Sequence, residues 1–241
     1  MSFRIEGYVI VSADGMLADA GRVMPDSLKF EGDKRFFEQA LDRAALIVHG
    51  RNSHEQQPNS ARRKRLILTR KIRDLTVDPE MPNATLWNPE HASFEEACAF
   101  ADVASGMVAV IGGPVVFDLF MDRYDTFWLS EAPHVRLPGG EGCFVGVPPR
   151  MPHEVLTAHG MRPGAPYLLD AVHEVTVTPW RRGGSLPAVA ALTPAPTQTG
   201  KTTPCTVPAT SYRSTYCWCA VLKLVPPPAS AKPASIFAET R

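Results

Sequence analysis

Apolar positions along this chain fall into short β-branched bursts separated by amphipathic stretches. Residues 4–12 (R-I-E-G-Y-V-I-V-S), 45–49 (A-L-I-V-H), 66–69 (L-I-L-T), 84–88, 108–111 and 126–130 (T-F-W-L-S) are brief and aliphatic-rich, the pattern of strands buried in a sheet. Residues 33–41 (D-K-R-F-F-E-Q-A-L) instead put Phe36, Phe37, Ala40 and Leu41 on one helical face. A second helix is predicted over 93–103, where Ser93 precedes Glu96 by the spacing of a capping box. Two late runs, 153–159 and 173–178, read as strands of a terminal hairpin. Strands alternating with helices predict an α/β domain with a mainly parallel sheet. Such sheets bind ligands beyond the C-terminal ends of their strands. The loops after Val11, His49, Thr69, Ile111 and Leu129 are therefore expected to gather on one edge.

The most informative of these loops lies in V-A-V-I-G-G-P-V-V-F, residues 108–117. A strand reaches Gly112-Gly113, and Pro114 then opens an amphipathic run at the one helical position where a missing N–H costs nothing. Glycines let a backbone approach a ligand closely, and a helix start aims N–H groups at an anion such as a dinucleotide pyrophosphate. Taken alone, the pair is equally an ordinary strand-to-helix turn.

Composition narrows the class. The chain has 241 residues, 44% of them hydrophobic, and a formal net charge of zero. That is ample for a real core and gives no basic patch for nucleic acid. The opening M-S-F-R-I-E-G-Y reads as a strand rather than a signal peptide, and no stretch approaches the ~18 apolar residues of a membrane span. Five scattered cysteines make neither a zinc pattern nor a disulfide framework, so no metal is expected and the cytoplasm is the expected compartment. From about residue 183 the character changes: nine prolines accompany a single acidic residue, Glu239, to the end. Residues 183–241 read as a disordered or loosely attached extension, or as an altered reading frame beyond a domain spanning 1–182.

Four motifs in order, G-R-N-S at 50–53, R-R-K-R-L-I-L-T-R at 62–70, V-I-G-G-P-V-V-F at 110–117 and W-L-S-E-A-P-H-V at 128–135, resemble the dihydrofolate reductase superfamily. That superfamily includes the pyrimidine reductases of riboflavin biosynthesis, and the resemblance runs from Arg4 to about Arg182. It implies a three-layer α-β-α fold on a mostly parallel eight-stranded sheet, and NADPH as hydride donor. By the same resemblance Ile111, Gly112, Gly113, Val115 and Val116 meet the cofactor, Arg51 and Ser53 hold its phosphates, and Thr69 and Arg70 hold the adenosine 2′-phosphate. Arginine suits that task through its paired donors. Ala13 and Gly15 match the start of the loop that closes over the nicotinamide, with Met24 and Pro25 further along it.

Asp33 matches the acidic residue of the substrate pocket, where it would act in catalysis. A carboxylate there takes two hydrogen bonds from a pterin ring N–H and amino group and helps the imine nitrogen acquire its proton. Beside Phe36 and Phe37 it is costly to ionise, so its pKa is expected to rise. Read without the resemblance, an Asp at a helix start equally serves only the dipole. Tyr8, Phe37 and Ser130 complete the implied substrate site, and Arg63 aligns with the arginine that grips the folate glutamate tail.

Three positions depart from the pattern: Asp26 replaces the tryptophan after Met-Pro, Pro114 replaces a third glycine, and Phe117 lacks a hydroxyl. The leading expectation is reduction of a pterin C=N bond, most simply dihydrofolate to tetrahydrofolate. A pyrimidine reductase would keep the cofactor site and use the basic cluster 62–65 for a substrate phosphate. A third reading keeps dinucleotide binding without turnover. In each case the partner is a small molecule, with no nucleic acid and no membrane, and the protein is a monomer or homodimer.

Overall fold

The computed structural model describes residues 2–53 and 59–183; the 183–241 extension therefore lies, but for Gly183, outside the described residues. The strands in chain order are β1 (Phe3–Ser12), β2 (Met16–Ala18), β3 (Leu46–Gly50), β4 (Arg65–Leu68), β5 (Leu75–Val77), β6 (Ala84–Trp87), β7 (Gly106–Val110), β8 (Thr126–Ala132), β9 (Glu141–Gly142), β10 (Met161–Pro163), β11 (Tyr167–Asp170) and β12 (Val175–Arg182). The helices are α1 (Glu31–Arg43), α2 (Phe94–Phe100), α3 (Pro114–Leu119) and α4 (Pro152–Ala158).

Eight strands form the body of one sheet in the order β12-β8-β1-β7-β3-β4-β6-β5, and the short β10 and β11 both pair with β12. The six central strands are parallel, as long apolar runs without strict alternation predict. Only the flanks, β5 on β6 and β12 on β8, turn antiparallel. β2 and β9 make a separate two-stranded ribbon.

Alternation along each strand sends side chains to two covered faces. On one, Val48, Val108, Val110 and Leu129 pack with Phe94 and Cys98 of α2, Val116 and Phe117 of α3, and Val155 and Leu156 of α4. On the other, Tyr8, Ile47, Met107 and Ala109 pack against Ala40, Leu41, Phe36 and Phe37 of α1. The fold is thus three-layered. Glu31 and Asp33 in the first turn of α1 and Arg43 in its last complement the helix dipole. The capping box of α2 forms: the Ser93 hydroxyl accepts from the Glu96 amide at 3.2 Å, and Glu96 accepts from the Ser93 amide at 2.7 Å.

One element departs from the expectation. Of residues 153–159, predicted as a strand, 153–158 lie in α4 and His159 is its C-cap. Pro152 at its start and Glu154, which accepts from the Met151 amide at 2.7 Å, cap a turn that buries Val155 and Leu156 side by side. Adjacent buried residues cannot both face the core from one side of a strand. The hairpin is made instead by β11 and β12. Among the described residues no helix is long and apolar enough to cross a membrane.

Candidate active site

Because the central strands run one way, their C-terminal ends share an edge, and a cavity of about 320 Å³ opens there. Its floor is the α1 face of β1 and β8, its sides are α1 and the turns after β3 and β7, and the β2–β9 ribbon overhangs it.

The turn after β7 holds Gly112 at φ +135°, a conformation that side-chain-bearing residues rarely adopt. Gly113 follows as the N-cap of α3, with Pro114 inside the helix start. This turn is tied to the one after β3 twice: the Gly50 amide donates to the Gly112 carbonyl at 2.8 Å, and the Gly113 amide donates to Ser53 Oγ at 3.0 Å. His49 steadies the end of β3 from below. Its Nε2 faces Arg65 Nη1 at 3.4 Å, and a guanidinium only donates, so Nε2 accepts. Nδ1 therefore carries the hydrogen and donates to the Gly50 carbonyl at 2.8 Å. The result is a bare-backbone cradle, bordered by Arg51, Asn52, Val115 and Val116, at the mouth of the cavity.

Across the cavity lies Asp33, in the first turn of α1 and 8% exposed. Burial pushes its carboxyl up to about 6, against a smaller opposing effect of the hydrogen bond from Ser130. Ser130 reaches it from β8, itself 2% exposed and in register with Ile10. Around this pair stand four aromatic rings. Tyr8 and Trp128 lie nearly parallel, 6.4 Å apart at 11°, with Phe36 edge-on to Trp128 at 5.3 Å and Phe37 edge-on to Tyr8 at 6.4 Å. A flat heterocycle entering here meets ring faces and edges, with one carboxylate at the bottom to accept its N–H groups.

Behind the aromatic wall is a group that sequence reasoning missed. Glu6 lies on the same face of β1 as Tyr8 and accepts from the Tyr8 hydroxyl and from Trp128 Nε1 at 2.9 Å, while Arg4 Nε pairs with it at 2.8 Å. Burial pushes the Tyr8 hydroxyl far above its ordinary range, with the Glu6 charge adding to the effect. Tyr8 thus spends its one proton on Glu6 and offers the cavity an apolar ring. The only sequence signal was a charged residue two positions from a tyrosine inside a buried strand. Trp128 stood in the quoted W-L-S motif but had no assigned task.

Of the residues proposed from sequence, Tyr8, Asp33, Phe37, Arg51, Ser53, Ile111, Gly112, Gly113, Val115, Val116 and Ser130 all line this cavity. Thr69 and Arg70 do not; they follow β4 on the same edge, beside Gly50, with Thr69 buried and Arg70 exposed and 3.9 Å from Glu90. Ala13 and Gly15 are also set back from it. The Ala13 amide is tied to the Val135 carbonyl at 2.7 Å, Gly15 packs against Val147 and Pro152, and Leu17 and Ala18 line the cavity from that segment. Met24 lines it too, whereas Asp26 faces solvent and pairs with Lys29 at 2.6 Å.

Arg63, expected at the substrate tail, does not line the cavity. Its side chain is 7% exposed and its guanidinium is ion-paired with Asp42 of α1, away from the cavity. Its neighbours are also engaged elsewhere: Lys64 donates to the Asp102 carbonyl at 2.6 Å, and Arg65 to Ser60 Oγ at 2.6 Å. None of residues 62–65 lines the cavity.

The residues present suit a dinucleotide. The turn at Gly112 carries no Cβ, and one built there would find nothing nearer than Ser53 Oγ at 3.6 Å, so backbone and ligand can meet. Arg51 at the mouth and Arg70 one strand beyond supply cations along the same edge.

No family model and no curated protein sequence matches the chain. Solved structures do. Dihydrofolate reductase from Enterococcus faecalis, complexed with NADP(H) and RAB-propyl, superposes with a TM-score of 0.51 at 18% identity, over 75% of this chain and 97% of that one. A riboflavin biosynthesis protein from Shewanella sp. PV-4 gives 0.51 at 17%, over 76% and 99%. The diaminohydroxyphosphoribosylaminopyrimidine deaminase/5-amino-6-(5-phosphoribosylamino)uracil reductase of Thermotoga maritima gives 0.50 at 16%, over 75% of this chain and 57% of that one. The chain shares its fold with these dihydrofolate reductase and riboflavin-biosynthesis structures.

Proposed function

We propose that this protein is an NADPH-dependent reductase that transfers hydride to a C=N bond of a pterin, most simply reducing dihydrofolate to tetrahydrofolate. The observation that carries the reading is Asp33: a buried carboxyl, hydrogen-bonded to Ser130 and enclosed by Tyr8, Phe36, Phe37 and Trp128, across one cavity from the Gly112-Gly113 turn. The Enterococcus neighbour, complexed with NADP(H), supports the choice of cofactor.

NADPH, when bound, supplies the hydride. Gly112, Gly113, Val115 and Val116 would hold its nicotinamide end, Arg51 and Ser53 its phosphates, and Thr69 and Arg70 its 2′-phosphate. Asp33 would accept two hydrogen bonds from the pterin amino group and ring N–H, fixing the ring against the aromatic wall. Ionised, it would make both bonds; protonated, as it is increasingly below about 6, one oxygen would still accept while the other carries the proton that the imine nitrogen needs as the adjacent carbon receives hydride. Turnover is therefore expected to slow as pH rises through about 6.

The pyrimidine reading is the second one: the riboflavin-biosynthesis neighbours support it, but residues 62–65 do not line the cavity, and Arg63, Lys64 and Arg65 have partners elsewhere. The test is NADPH oxidation by the purified protein with dihydrofolate, beside Asp33→Asn. Turnover that collapses in the variant while NADPH still binds is the expected result. Oxidation with a ribosylaminouracil phosphate instead would transfer the assignment to pyrimidine reduction. NADPH binding with no turnover on either substrate would leave a binding module, and no NADPH binding would overturn the cofactor site.

A further inference from the structure

Strand β11 carries a bulge that bears on α1 beside Asp33. Its register on β12 pairs Tyr167 with Val177, Leu168 with Thr176 and then Asp170 with Val175, so Leu169 is the extra residue. A bulge breaks the ladder locally and re-aims what it carries. Here it turns the Leu169 carbonyl onto Gly32: a Cβ built at Gly32 would lie 1.9 Å from that oxygen and 2.7 Å from its carbon. The contact is backbone against backbone, so no rotamer change relieves it.

The hairpin tip is fixed against the same turn. Asp170 Oδ1 accepts from the Val172 and His173 amides at 2.9 Å each. The His173 ring packs on Phe30, the residue before α1, at 5.2 Å. Leu28, Val175, Phe30 and Leu169 share one small apolar cluster. We propose that the β11–β12 hairpin is the stop against which the first turn of α1 seats, with Gly32 and the Leu169 bulge as positioning residues for Asp33. Glycine lets the helix approach until the carboxyl reaches Ser130; any larger residue holds it off.

Seating can be read on the Asp33 carboxyl itself, so the proposal rests on the reductase reading only for its catalytic consequence. The charged groups that line a cavity with Asp33 are Lys29, Glu31 and Lys34 in a smaller one of about 90 Å³, and Arg22, Arg51 and Glu141 in the larger one. Lys29 pairs with Asp26 at 2.6 Å and Lys34 with Glu31 at 3.6 Å. A substitution at position 32 changes the charge of none of them, and Glu31 and Lys34 move with the same turn as Asp33.

The experiment is titration of the Asp33 carboxyl by carbon NMR in full-length, ligand-free protein, wild type against Gly32→Ala. Circular dichroism establishes that both are folded. An alanine methyl needs the contact to open by about 1 Å, and a displacement of that size costs on the order of 100-fold in a positioned reaction. Expected are an Asp33 midpoint that falls from about 6 toward the ordinary 3.8, because relief of burial, the larger effect, outweighs loss of the Ser130 bond, a kcat lowered about 10- to 100-fold, and NADPH affinity unchanged. A folded Gly32→Ala with an unmoved midpoint overturns the proposal. Should Gly32→Ala fail to fold, His173→Ala, which removes the ring seated on Phe30, is the second variant; a smaller fall is expected and no fall overturns. Wild-type protein without turnover whose Asp33 midpoint still moves in Gly32→Ala keeps the positioning role and overturns the reductase reading.

Discussion

A buried carboxyl held for chemistry should weaken the fold that holds it, and Asp33→Asn measures by how much. In the folded protein Asp33 titrates near 6, against 3.8 for an ordinary aspartate. Between those values the folded state keeps a proton that the unfolded chain gives up. Stability therefore falls as pH climbs from about 4 to about 6 and stays lower above. At ~1.4 kcal/mol per pH unit the loss is about 3 kcal/mol by neutral pH, an upper figure because relaxation and water entry reduce it. An asparagine keeps the volume and the hydrogen-bonding capacity but has no proton to lose. The variant and the wild type should thus unfold with similar free energy near pH ~4, and the variant should gain up to about 3 kcal/mol near pH ~8. For a domain of this size that is on the order of 10 °C in Tm. Urea unfolding of both proteins across this range reads the difference directly, and every other titrating group cancels in it. A difference that is the same at both ends of the range would refute the reasoning. The same substitution should lower turnover by about 100-fold or more, the scale of a lost general acid. Gain in stability and loss of activity would then come from one atom pair.

Three further outcomes are expected. Gly112→Ala has room for its methyl but not the backbone conformation, so it should cost about 1–3 kcal/mol and weaken NADPH about tenfold or more by calorimetry, with thermal melting separating the two effects. Arg70→Ala should weaken NADPH by about 10- to 100-fold and leave NADH affinity unchanged, because only the former carries the 2′-phosphate; equal losses for both would remove Arg70 from that role. Glu6→Ala leaves the Tyr8 hydroxyl and Trp128 Nε1 without their acceptor, so denaturant unfolding should report a loss of about 2–4 kcal/mol, with Glu6→Gln recovering part of it.

Sequence by itself determined what depends on neighbours a few residues apart. The aliphatic bursts became β1, β3, β4, β6, β7 and β8, the apolar face at 36–41 became α1, and Ser93 with Glu96 capped α2. The Gly112-Gly113 turn and Pro114 were legible for the same reason: positive φ and a missing N–H are properties of single residues. So was the direction of the Asp33 shift, since Phe36 and Phe37 lie within one helical turn of it. The departure at 153–159 was also local, a case where a proline and a capping glutamate outweighed two β-branched residues, Val155 and Thr157.

Only the tertiary structure decided which groups became partners. Glu6 meets Trp128 because β1 and β8 pair in parallel with Tyr8 opposite Trp128, a register that no local pattern carries. Arg63 turned from the cavity because α1 presents Asp42 to it, and a nearly buried cation takes the carboxylate within reach. Gly32 lies beneath the Leu169 carbonyl because a strand more than a hundred residues later bulges at that point. Local propensity fixes the elements through short-range backbone sterics. Whether a buried charge or carbonyl finds its counterpart depends on how those elements pack, and that is settled only when the whole sheet has closed.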